Sequence, residues 1–499
     1  MRQVQVCTWL DARSSKRQAL CARIYYFKLI KYTINVAGRQ YYGIIISHHE
    51  LSIVNSYTWV YNKDAMSTSV AEAAYPIDFH KGDASVLGRY LHQRQCVNLV
   101  GMKRVGISHF LRFFLNHKDI IHTYIDPKQQ HLFIPVDLND LVELELYPFW
   151  TLTLKRIVDA VEASGINPKT KKKITALFDR SIQSQDLFLV IDSIRHASVI
   201  IVENDMLPTI FFLRFDRLKD KFNPSFFDNL EGLRDATNSK LSFVFTSYRS
   251  LRSMFPLSRT LLSVLAQMMY VKPVDQGGMG VIYGEYRHRY HFSLPESTEK
   301  TLFALCGGHV QYLQLALVVL NEKKDQAVSE SDLPEILLHD ERIALQSEEL
   351  WESLNKDEKR VLLDITHERD VSGDDKEKCS YLWDTGFVYE HEGKLRVFSS
   401  LFEHFLLQVQ QEQSKKSKAD HLTRKENLLF NTLKSQLGDI CERDRIIETV
   451  WPEYQEFGVS DWAIDRLVAR VRMKLREQNS PYEIVTVRTR GYKLTMVKE

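Results

Sequence analysis

Short apolar runs alternate with segments of helical period from about residue 76 onward. "CVNLVG" (96–101) is a buried-strand pattern ending in a glycine turn, and "SHFLRFFLNH" (108–117) follows with helical spacing and Ser108 near its start. "HLFIPVDLNDL" (131–141), "PTIFFLRF" (208–215) and "LSFVFTSYRS" (241–250) are further strands of the wholly apolar kind found in parallel sheets. "DLFLVIDSIRHASVIIVEN" (186–204) is ambiguous. It could be a strand ending on Asp192, but Leu187, Ile191 and Ile194 recur at helical spacing, so it reads as a helix. Strands alternating with helices predict a doubly wound α/β sheet with the glycine turn at its carboxyl edge.

The pattern then changes. Residues 258–345 lose the strand signal and read as helical, a lid on the 76–257 sheet domain. Residues 348–408 predict helices and a hairpin turning at His391-Glu392-Gly393, a small winged helix. The polar stretch 409–421 reads as a linker, and 422–497 as a compact final domain. Residues 1–75 form a separate extension. The first 65 carry nine Lys/Arg against three acids and show neither caps nor clean periodicity. They read as translated upstream sequence with Met66 as the start, the alternatives being a poorly ordered extension or an organelle transit peptide.

Composition changes this picture little. The 499 residues have 66 Lys+Arg against 64 Asp+Glu, so any affinity for a polyanion must come from local clustering. Six scattered cysteines without CxxC or metal-ligand spacing argue against a disulfide framework and a zinc site. No apolar run is long enough to span a bilayer, and the expected location is the cytoplasm.

Local charge is concentrated in the last domain. Leu428, Leu429 and Leu433 mark one helix, Ile446, Ile447, Val450 and Trp451 a second. A third, capped by Ser460 or Asp461, buries Ile464, Val468, Val471 and Leu475. Arg466, Arg470 and Lys474 lie about 200° away on that helix, a cationic face suited to a major groove. From Arg466 to Lys493 there are eight cations and two acids. The ordered motifs "LTRKE", "DRIIETVW", "VSDWAIDRLVARVRMKL" and "VTVRTRGYKL" resemble the OmpR/PhoB-type winged-helix DNA-binding domain over its whole length. That resemblance implies double-stranded DNA as partner, with homo-oligomerisation and RNA polymerase contact as further expectations. By position it puts Trp462, Ala463, Arg466, Leu467 and Arg470 at the bases. Lys474, Arg488 and Arg490 would serve phosphates or the minor groove. Trp462 and Leu467 stand where the family more often has polar residues.

The glycine turn carries a second set of candidates. Gly101, Gly106 and Ser108 have phosphate-loop spacing, but Ile107 replaces the lysine that would neutralise phosphate charge. Lys103 and Arg104 lie within the loop. The 76–408 region resembles the STAND class of AAA+-related P-loop ATPases in this turn, in "FVFTSYRSL" and in "LCGGHVQYLQLALVVL" (305–320). The resemblance implies ATP and magnesium, with two acids in "TIFFLRFDRL"; Leu213 and Arg214 stand there, and Asp216 follows. Asp192 is the rival acid if its stretch is a strand. His309 is either a nucleotide contact or a helix cap. The expected fold is an α/β P-loop NTPase-like parallel sheet with helical lid and small winged helix, then a winged helix-turn-helix domain. The expected function is DNA-binding regulation through a non-hydrolysing module. An active ATP-driven switch and a protein-interaction scaffold are the alternatives.

Overall fold

The computed structural model describes residues 28–36, 39–47, 70–218, 221, 224–254, 267–323, 328–416, 422–451, 461–478, 480–487 and 490–496. The chain divides into two units, 1–68 and 69–499. In the first, β1 (Lys28–Val36) pairs antiparallel with β2 (Arg39–Ser47). Neither caps nor helical period marks these residues in the sequence. The strands instead draw on β-branched and aromatic residues such as Tyr32, Ile34, Tyr41 and Ile45. Met66 lies outside the described residues.

The second unit is built on five parallel strands: β3 (Val97–Val100), β4 (Gln130–Asp137), β5 (Met206–Leu213), β6 (Ser242–Ser247) and β7 (Gln267–Tyr270). Their order is β4-β5-β6-β3-β7. This is the parallel sheet of an α/β fold expected from the sequence. Alternate residues serve the two faces: Phe211 and Val244 join one core, Ile210, Phe212, Phe243 and Phe245 the other. The second core is filled by aromatic rings, with Phe149, Trp150, Phe212, Phe215 and Phe226 all fully buried. The helices in chain order are α1 (Lys81–His92), α2 (Ile107–Asn116), α3 (Leu146–Ala163), α4 (Pro168–Ser184), α5 (Leu187–Glu203) and α6 (Pro224–Ala236). The ambiguous 186–204 stretch is the helix α5, capped by the Asp186 carboxylate accepting from Leu189 N at 2.9 Å. Asp192 therefore sits mid-helix beside Arg195 and His196, away from any strand end.

After β7 come α7 (Gln276–Tyr290), α8 (Glu296–Cys306), α9 (Val310–Glu322), α10 (Glu341–Glu352) and α11 (Lys356–Thr366). The hairpin β8 (Val388–His391)–β9 (Lys394–Val397) and α12 (Ser400–Lys416) follow. Two expectations are corrected here. Residues 258–345 are not strand-free, since the four residues of β7 close the sheet beside β3. Nor is 409–421 wholly a linker: α12 runs to Lys416, because Gln, Glu and Lys propagate a helix already begun by Leu401–Leu407.

The chain ends in α13 (Arg424–Ser435), β10 (Ile440–Glu442), α14 (Arg443–Val450), α15 (Asp461–Glu477), β11 (Tyr482–Val487) and β12 (Gly491–Met496). The strands form an antiparallel sheet in the order β10-β12-β11. A capping box between Thr423 and Glu426 starts α13. Leu429, Leu433, Ile446, Val450, Ile464, Val468, Val471 and Leu494 form its separate core.

Gly307 and Gly308 end α8 with φ of +57° and +79°. A Cβ on Gly307 would lie 1.8 Å from the Phe398 carbonyl oxygen, so only glycine fits. Gly307→Ala is expected to lower unfolding free energy by more than about 2 kcal/mol, from left-handed strain plus a backbone clash. Gly82→Ala, in the exposed first turn of α1 with open space around it, should instead stabilise by up to about 1 kcal/mol. Denaturant titration of both variants checks the contrast.

Candidate nucleic-acid interface and glycine-loop site

The third helix of the C-terminal domain, α15, places Ile464, Val468, Val471 and Leu475 in the core and Arg466, Arg470 and Lys474 on the other side. One expected base-facing residue, Leu467, does not belong to that surface: it is 1% exposed within the core. Ala463 is also buried but lies outside that core, on the helix face between Arg470 and Lys474. A helix packed on one side against a sheet and on another against α13 buries a wider stripe than one residue per turn. Trp462 lies in the first turn of α15, and Arg488 lies outside the described residues. Arg490 is exposed where the β11–β12 hairpin turns. Arg472, counted among the cations of this region, is committed to structure. Its Nε donates to Ile484 O at 2.8 Å and its Nη2 to Thr486 Oγ1 at 2.8 Å, fastening the hairpin to the helix. Gly491 is required because a Cβ there would come within 2.1 Å of the Cys441 carbonyl oxygen.

The cationic face meets carboxylates from two directions. Arg466 Nη1 lies 2.6 Å from Glu352 Oε2, and Arg470 Nη1 lies 3.0 Å from Glu348 Oε2, both acids on α10. Lys474 Nζ lies 2.6 Å from Glu426 Oε2 on α13. Burial alone would raise the Glu426 carboxyl, but Lys474, the Thr423 backbone and Arg470 together bring it below its ordinary value. At the other end of α10, Glu341 Oε2 accepts from Lys425 Nζ at 2.6 Å and from Trp451 Nε1 at 3.1 Å. Nothing in the sequence signalled these α10 acids, whose partners lie more than 80 residues away.

The glycine loop follows β3 and leads into α2. Gly106 has φ of +125°, and a Cβ there would lie 2.5 Å from Val310 Cγ2. His309 is fully buried, and Nδ1 accepts from Tyr312 N at 3.3 Å as the α9 N-cap. That leaves Nε2 protonated to donate to Lys103 O at 3.0 Å, the tautomer following from the hydrogen bonds. Both nitrogens thus clasp the loop and its covering helix. Lys103 and Arg104 turn toward Glu349 of α10, at 3.9 Å and 2.7 Å, and Lys103 also lies over the Tyr248 ring. Burial pushes the Lys103 ammonium below its ordinary value, with Glu349 opposing and Arg466 assisting.

Arg214 dominates the far side of the loop. β5 stops at Leu213, and Arg214 takes φ of +58° with its backbone N–H donating to Thr246 Oγ1 at 2.7 Å. Its guanidinium pairs with Asp137 at the end of β4 and reaches Ser108 Oγ at 3.5 Å. A magnesium ion there needs about six oxygen ligands. Ser108 and Asp137 already face a fixed positive charge, and burial raises the Asp216 carboxyl. Magnesium does not fit this arrangement, and Ile107 leaves the loop without its lysine.

Residues 417–494 match the family described as "Transcriptional regulatory protein, C terminal". The transcriptional regulatory protein YxdJ of Bacillus subtilis is 35% identical over 92 residues, which cover 18% of this chain and 37% of that protein. Over 417–494 the chain is thus similar to the C-terminal domains of transcriptional regulatory proteins. A Walker-type ATPase of Pyrococcus abyssi is similar over 68% of this chain and all of its own, at 13% identity and a TM-score of 0.42. The Aeropyrum pernix ORC1 protein, solved in complex with DNA, is similar over 86% of this chain and 91% of its own, at 11% identity and a TM-score of 0.33.

Burial holds His309 down to about 4, against about 6.5 in an unfolded chain. The unfolded state therefore takes the proton first, and stability is lost as pH falls from about 6.5 toward 4. From pH 7 to pH 5 this single histidine accounts for about 2 kcal/mol. Denaturant midpoints measured across that range should fall, and should fall less steeply in His309→Gln.

Proposed function

We propose that this protein is a DNA-binding transcriptional regulator in which an α/β module without hydrolytic chemistry governs a C-terminal winged helix. The observation that carries the reading is the row Arg466, Arg470 and Lys474 along α15, away from a buried aliphatic stripe, with Arg490 exposed at the turn of the hairpin that follows. Arginines one turn apart on a groove-sized helix can address successive base edges. Lys474 and Arg490 suit phosphates, as does Arg488 by position. Trp462 at the first turn of α15 stands where the chain would enter the groove. The family match over 417–494 supports the same reading.

The non-hydrolysing part rests on Ile107, Leu213 and Arg214. Phosphoryl transfer depends on a held metal and a positioned water, and these three residues occupy the places where the lysine and both acids would stand. An ATP-driven switch would instead require magnesium-dependent turnover.

Two measurements test the reading. Arg466→Ala with Arg470→Ala should weaken binding to a duplex selected from a random pool by at least about 30-fold, two base contacts at about 1–3 kcal/mol each. Binding by the unsubstituted chain should fall steeply with salt. Unchanged affinity in the double variant would falsify DNA recognition through α15. In a sensitive phosphate-release assay no magnesium-dependent ATP hydrolysis is expected, and turnover abolished by Ser108→Ala would establish the switch instead.

A further inference from the structure

Two α10 acids are ordered like a template for two α15 cations, and a third, Glu341, meets Lys425 and Trp451 of the same domain. Glu341, Glu348 and Glu352 stand at i, i+7 and i+11, within about 40° of one helical face. Leu345, on the same face, is 4% exposed although it belongs to none of the three cores. The pairs Glu352–Arg466 and Glu348–Arg470 each step by four residues in opposite chain directions, an antiparallel ladder of two helices. The side chains of Arg466 and Arg470 retain only 12% and 21% of their exposure. An arginine so covered cannot reach a base edge.

We propose that α10 is a built-in competitor for DNA: its carboxylates occupy the recognition face of α15, and the protein binds duplex only when the two helices separate. The inference rests on the reading of α15 as the DNA-binding helix. Three features make the closed form separable. Arg466 Nε and Nη2 are buried without a hydrogen-bond acceptor among the described residues, and Arg470 Nε has only Glu426 Oε1 of α13 at 3.9 Å, so the docked state leaves donors unsatisfied. Phosphate oxygens could satisfy them. The C-terminal domain keeps its own core, so undocking exposes the ladder without dismantling the fold. Finally, Glu349 on α10 pairs with Lys103 and Arg104, so the glycine loop and the recognition helix hold the same element. A change at the loop that moves α10 is felt at α15.

The test uses the full-length chain and a fluorescent duplex selected from a random pool, followed by anisotropy. Glu348→Gln with Glu352→Gln should bind at least about tenfold more tightly than the unsubstituted protein, as expected when a competing charge pair is removed. Glu390→Gln with Glu392→Gln, on the exposed β8–β9 hairpin, makes the same change in net charge and should stay within about twofold. If the two double variants bind alike while Arg466→Ala/Arg470→Ala weakens binding, the competitor is overturned and the DNA reading stands. If Arg466→Ala/Arg470→Ala also leaves binding unchanged, the DNA reading has failed and the competitor falls with it. Hydrogen exchange on the unsubstituted protein gives a measurement free of folding defects. Saturating DNA should speed exchange in 341–352, and unchanged or slower exchange there would overturn the proposal.

Discussion

The turn Gly307-Gly308-His309 is the joint on which the larger unit depends. Gly307 lies against the Phe398 carbonyl after the β8–β9 hairpin, and Gly308 against the Val274 carbonyl, which accepts nothing bulkier in its place. Val274 N in turn donates to Gly308 O at 3.0 Å. His309 then reaches the glycine loop through Lys103 O. Three consecutive residues thus touch the loop after β3, the segment after β7 and the small winged helix. One apolar core runs through all of them, from Leu99 and Val105 through Leu313 to Phe402. Movement of one of these parts must be accommodated by the others, because packed interiors transmit strain.

The glycine loop separates what a backbone shape needs from what charge chemistry needs. Its backbone shape needs Gly106, the approach of Val310 and the His309 clasp, all of which are present. The chemistry needs freely available charge, and here the charges are paired with one another. Arg214 holds Asp137, and Lys103 and Arg104 face Glu349. Arg214 supplies positive charge near Ser108, at the cost of a left-handed backbone held by Thr246.

Elements whose signal is local were legible in the sequence. The apolar runs of β4, β5 and β6, the period of α5 and the hairpin turn at Glu392-Gly393 follow from neighbouring residues alone. β7 was missed because four residues of Gln, Met and Tyr carry little strand pattern, and its place comes from pairing with β3. The cationic face of α15 was legible from spacing. Leu467 was misplaced because its burial depends on what packs around the helix, which period alone does not specify. The acids opposite Arg466 and Arg470 were illegible for the same reason. Glu348 and Glu352 look like an ordinary solvated helix face until the fold brings α15 beside them.

Net charge near zero therefore hides two opposed patches that the fold brings together. Desolvating a guanidinium costs several kcal/mol, and the facing carboxylate offsets that only where geometry is complete. Glu352 lies 2.6 Å from Arg466 Nη1 and Glu348 3.0 Å from Arg470 Nη1, while Arg466 Nε and Nη2 lack a hydrogen-bond acceptor among the described residues. Burial raises the Glu348 carboxyl while Arg470 and Arg466 hold it down, so its charge depends on the cations remaining in place. An interface built this way contributes less stability than an apolar one of equal area. What it provides is selectivity: the surface it covers is one that a polyanion can claim, and an uncharged competitor cannot.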